Sequence, residues 1–103
     1  PPPPTNFTGE EGTGVITLTW RYDPNLRDQI EGFRVYRDEP PNTLISELSK
    51  DDIDNFSNIT TTDTDVEDDP CGNTYWVAVV YRDPINPEIF LEVRSISWSS
   101  RSC

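Results

Sequence analysis

Apolar and polar residues alternate with a period of two along much of the chain. In residues 15–22, VITLTWRY, the side chains of Ile16, Leu18, Trp20 and Tyr22 share one face, and Val15, Thr17, Thr19 and Arg21 share the other. Such alternation marks a strand with one buried face. Residues 30–37, IEGFRVYR, repeat it, with Phe33 and Val35 inward and Arg34 and Tyr36 outward. Shorter strands are predicted in TLISELS (43–49) and in the Thr-rich ITTTDT (59–64). The last two are predicted in TYWVAVVYR (74–82) and EIFLEVRSISWSS (88–100), joined by the turn DPINP. An opening edge strand follows PPPPTNF, because four prolines supply no ladder donors and read as an extended lead-in. Turn residues separate these runs: GEEGTG, DPNLRDQ, DEPPN, DVEDDPCGN, and KDDIDNFSN with Ile53 and Phe56 as anchors. No stretch keeps a helical period, and no segment repeats.

Seven short strands whose faces are half apolar must cover one another, so the pattern predicts an all-β antiparallel sandwich. Composition agrees, being rich in aromatic and β-branched residues and lacking Met. A chain of 103 residues fits one domain, and the boundaries expected are a proline-rich lead-in at 1–6 and the domain at 7–103.

Charge and chemistry then exclude several functions. The net charge of −11 opposes binding to nucleic acid or an anionic membrane surface. Most of it lies between Asp51 and Asp69, where eight acidic residues meet no Lys or Arg. No apolar run reaches the roughly 20 residues of a membrane span, so no membrane insertion is expected. No leader segment is visible, and a start at Pro1 is expected of a processed or excised chain. Without histidine, and with two cysteines only, no Ser–His or Cys–His nucleophile can form. The many carboxylates fall in turn-rich segments rather than as a pair across a cleft, so the chain is read as not an enzyme. Acidic residues at alternate positions in DDIDN and DTDVEDD leave calcium as the minor alternative to a solvated acidic rim. Otherwise no cofactor and no metal site are expected. Asn-x-Ser/Thr triplets at Asn6, Asn55 and Asn58 are compatible with secretion.

The LTW of the second strand, the GFRVYR of the third, and Tyr75 opening the alternation Tyr75, Val77, Val79 resemble a fibronectin type III domain. The resemblance runs from about Pro4 to Ser100, with diffuse motifs in matching order. It implies a seven-stranded Greek-key, immunoglobulin-like sandwich, with Trp20 as its core Trp and Tyr75 as its tyrosine corner, the hydroxyl bonding backbone a few residues upstream. The approach VEDDPCGNTY is longer than the family's, and RDPINPE replaces any integrin-binding triplet between the last two strands.

Antiparallel pairing across DPINP can place Cys71 opposite Cys103, which predicts a disulfide; unpaired thiols are the alternative, and a metal site is weaker still. The same register places Trp98 opposite Trp76 and Ile96 opposite Ala78, on an outer face that Tyr36 and Arg34 join. Arg34 and Arg94 would stack on the indoles. Yet Leu91 and Val93 have the opposite parity to Ile96 and Trp98, so either both faces are apolar or a bulge turns Trp98 inward. The two Trp residues could equally cover each other as a structural pair.

The expected function is a non-catalytic extracellular or cell-surface module, a spacer or adhesive unit. Its partner would be a protein, either a neighbouring domain or a copy of itself. The contact residues would be Trp76, Trp98, Tyr36, Arg34 and Ile96. The alternative is a carbohydrate- or calcium-binding accessory module of a secreted enzyme or receptor, with Trp76 as the stacking platform.

Overall fold

A computed structural model describes residues 1–37 and 43–103; the turn expected in DEPPN lies outside the described residues. Two antiparallel sheets face each other. The first has the order β1 (Thr5–Gly12), β2 (Val15–Arg21), β5 (Ile59–Asp63). The second has the order β4 (Thr43–Ser49), β3 (Gly32–Arg37), β6 (Thr74–Arg82), β7 (Phe90–Arg94), and β8 (Trp98–Ser99) pairs with β6 beyond the end of β7.

The alternation builds the core as expected. Ile16, Leu18 and Trp20 of β2 meet Phe33 and Val35 of β3 and Tyr75, Val77 and Val79 of β6, all fully buried. Trp20 is boxed by Phe7 at 6.3 Å and Phe33 at 5.7 Å between ring centres, and Tyr22 and Phe56 close on the far side of Phe33. Ile53 and Phe56 anchor their loop in the core.

Several local features depart from the sequence reading. β1 runs on through GEEG to Gly12, since backbone pairing with Val15–Thr19 outweighs the turn character of its residues. Two expected loops contain 3-10 turns, Pro24–Gln29 and Lys50–Asp52, capped by the side chains of Asp23 and Ser49. The lead-in is packed: Pro4 is buried, and the Tyr22 hydroxyl donates to the Pro2 carbonyl at 2.8 Å.

The single last strand expected over 88–100 is broken in two. Ala78 lies opposite Arg94, but Tyr75 lies opposite Trp98, so one extra residue enters between the two pairings. Ser95 causes the shift: its amide donates to the Val77 carbonyl at 2.7 Å, while its hydroxyl accepts the Val77 amide at 3.0 Å. The hydroxyl takes the place of a ladder carbonyl, and the chain then resumes in the next register.

Beyond β8 the ladder continues through Ser100 to Asn73 and from the Gly72 amide to the Arg101 carbonyl, ending at a Cys71–Cys103 disulfide with Cα atoms 5.1 Å apart. Gly72 has φ 68°, and a Cβ there would press on the Cys103 sulfur, so glycine suits the position. No helix among the described residues is long and apolar enough to cross a membrane.

Candidate functional site

The outer face of the larger sheet carries most of the residues expected to make contacts, in a changed arrangement. Tyr36 stands directly opposite Trp76 across the β3–β6 ladder, and their rings stack at 5.5 Å and 23°. The Arg94 guanidinium lies 4.4 Å above the Trp76 ring centre and 5.7 Å from that of Tyr36. Trp76 is therefore only 6% exposed although it points away from the core. Its indole N–H finds no acceptor among the described residues, so the stack on Tyr36 and the Arg94 cation hold the ring without a hydrogen bond.

Arg34 does not stack. Its Nε donates to Glu47 at 2.6 Å and its Nη1 to Glu92 at 3.0 Å, so one guanidinium spans three strands, β4, β3 and β7. Its hydrogen bonds to these two carboxylates, Glu47 first and then Glu92, hold the Arg34 pKa well above the ordinary guanidinium value. The Tyr36 hydroxyl donates to the same Glu92 oxygen at 2.6 Å. Burial, then the Glu92 contact, raises the Tyr36 pKa. Arg94, Trp76, Tyr36, Glu92, Arg34 and Glu47 thus form one connected layer over β4, β3, β6 and β7.

Trp98 is not part of it. The bulge at Ser95 turns its ring inward, where it stacks on Tyr75 at 6.3 Å and lies directly on Gly9 of β1, which has no side chain to obstruct it. Trp98 closes the edge between the sheets. Ile96, at the crest of the bulge, pairs with no residue of β6 and is 79% exposed. The expected pairings of Trp98 with Trp76 and of Ile96 with Ala78 are therefore corrected; the choice between two apolar faces and a bulge falls to the bulge. Leu44 of β4, opposite Tyr36, is an exposed apolar residue that the sequence pattern did not mark as a contact. Its bulge neighbour Ser46 turns inward to Thr61, and only the resulting parity change brings Leu44 out.

Tyr75 ties the sheets together through a side chain. Its hydroxyl donates to the buried Asp63 carboxylate at 2.7 Å, not to upstream backbone. Arg37 donates to the same oxygen at 3.0 Å and to the Asp65 carbonyl, while the Asp65 amide donates to the other Asp63 oxygen. Burial, then the Asp63 hydrogen bond, pushes the Tyr75 pKa well up. A carboxylate at the end of β5 is a better acceptor here because Arg37 comes with it and balances its charge.

As for ions, no three His, Cys, Asp or Glu side chains gather as cation ligands among the described residues. Asp63 and Asp65 turn instead to Arg37, and Asp69 turns to Arg101. A saccharide could stack on Trp76 only after displacing Arg94. The disulfide is compatible with an extracellular location. No family model matches the sequence, and no curated protein matches it significantly.

Proposed function

We propose that the chain is a non-catalytic extracellular module of the fibronectin type III kind, a spacer or adhesive unit acting through protein–protein contacts. β7 and β8 lie along the same side of β6, so they count as one strand interrupted by a bulge. The strand orders 1-2-5 and 4-3-6-7 then support a seven-stranded sandwich of that family. The observation that carries the functional reading is the connected layer of Tyr36, Trp76, Arg94 and Arg34, flanked by exposed Leu44 and Ile96. Solvent-facing sheets need no such layer, and Trp, Tyr and Arg are the residues that dominate interface energies. A neighbouring domain or a second copy is the partner.

The test uses the rim, because Trp76 also supports the fold. Leu44→Glu and Ile96→Glu change exposed side chains, so melting should stay within about 0.5 kcal/mol of wild type. Sedimentation velocity over a concentration series, and of a chain carrying two tandem domains, should show association or domain docking that both variants abolish. Free monomers and independent domains in the wild type would leave this face without a contact role.

A further inference from the structure

At the end of the same face away from Trp76 lies a pocket of about 450 Å³. Gly32 and Val80, directly opposite each other, lie at its floor with Leu48 beside them. Glycine at position 32 lets the β4 backbone come close beside the pocket, since a Cβ there would strike the Leu48 carbonyl oxygen. Phe90, 46% exposed, forms a wall. Its ring already accepts one cation, the Arg82 guanidinium 4.9 Å from the ring centre.

The polar lining is unbalanced. Glu31, Glu47 and Asp52 meet one lining cation, Arg34. Glu31 is held by Arg82, and Arg34 takes a single oxygen of Glu47, which stays mostly exposed. Asp52 has no ion-pair partner among the described residues. An apolar floor, an aromatic wall and spare carboxylates at the rim match a long aliphatic stem that ends in a positive charge.

We propose that this pocket receives a lysine side chain from a basic segment of a partner protein. The stem would lie on Gly32 and Val80 against Phe90, with the ammonium between Asp52 and Glu47. Charge on the whole molecule favours this occupant. A chain of net charge −11 attracts basic segments from a distance. A neutral sugar would desolvate the carboxylates without compensating their charge. The inference rests on reading this sheet face as a protein-contact surface, and it names the chemistry of the partner.

A fluorescent lysine-rich peptide, titrated into the wild-type domain, reads the proposal by anisotropy, with a glutamate-rich peptide and a neutral oligosaccharide as comparison probes. Saturable binding of the lysine peptide alone is expected. Amide shifts in NMR spectra should concentrate at Gly32, Val80 and Phe90. Phe90→Ala and Asp52→Asn, both surface changes whose folding is checked by circular dichroism, should each weaken binding roughly threefold to tenfold. Absence of binding overturns the proposal. So does binding that both folded variants keep, or shifts confined to residues 63–69, since diffuse attraction would then suffice. Preferential binding of the oligosaccharide also overturns it and assigns the pocket to sugar. If the peptide fails while Leu44→Glu still abolishes association, the lysine assignment falls alone; if both fail, the contact reading falls with it.

Discussion

The two outer faces of this sandwich solve the same problem differently. On the three-stranded sheet, Thr8, Thr19 and Thr60 stand in one row, and Thr17 and Thr62 stand side by side in the next. Their hydroxyls reach no further than the adjacent strand, with Thr19 and Thr60 bonded at 3.3 Å and Thr60 donating to the Leu18 carbonyl at 3.0 Å. Each such residue suits a pleated surface in water and depends little on its neighbours. On the larger sheet, Trp76 is roofed by Arg94 and Tyr36, and Arg34 joins three strands. One face is a collection of independent residues, the other a layer with its own packing. β-Propensity explains the first. The second needs long side chains from four strands to converge, an arrangement that goes beyond what a solvated face requires.

The covalent closure sharpens the contrast most. The larger sheet ends in a disulfide between residues 32 apart in sequence, whereas the smaller sheet relies on its ladders alone. Cys71→Ser with Cys103→Ser should cost about 3–4 kcal/mol by chain entropy. Denaturant unfolding under non-reducing conditions checks this. A loss below about 1 kcal/mol would show that the ladder from Gly72 to Arg101 holds the tail by itself.

Trp76→Ala tests the layer directly and should cost about 2–3 kcal/mol, somewhat less than a Trp from the core between the sheets. Arg94 and Tyr36 would lose their common platform, so a double-mutant cycle of Trp76→Ala with Arg94→Ala should give coupling of about 0.5–1 kcal/mol. Additive effects would mean that Arg94 merely rests on the indole.

The bolt between the sheets comes next. Tyr75→Phe should cost about 1.5–2 kcal/mol, because a hydrogen bond to a charged, buried carboxylate is lost. It also changes alkaline stability. Burial lifts Tyr22 to about 12, with the neighbouring Asp23 charge adding to it, and Tyr75 is raised as well. Below pH ~10 these phenols are protonated in both states, and their contribution is fully present. As pH rises further the unfolded chain ionises first, so stability falls toward pH 12. Melting curves from pH 9 to 12 should show that fall, and Tyr75→Phe should make it shallower. An equal slope in the variant would place the alkaline loss elsewhere.

The smallest effect belongs to the independent face. Thr19→Ala should stay within about 0.5 kcal/mol of wild type, as should Thr62→Ala. A loss as large as that for Trp76→Ala would abolish the distinction between the two faces.

The inner faces of β2, β3 and β6 were legible in the chain because a period of two is a local property of a strand and burial follows it. The link between Cys71 and Cys103 was legible too, since a hairpin joined at DPINP brings residues on either side of it into register. The sequence alone therefore determined an all-β sandwich, its core and its disulfide. It left the direction of Trp98 open, because parity along β7 and β8 depends on one hydroxyl. Ser95 replaces a carbonyl in the ladder only when Val77 is already in place across from it. Nor could it supply the partner of Tyr75, for Asp63 and Arg37 come from strands on opposite sheets. The roof over Trp76 and the opening beside Phe90 were likewise decided by the tertiary structure. Both arise where side chains from several strands meet in space, and periodicity along one strand carries no information about such distances.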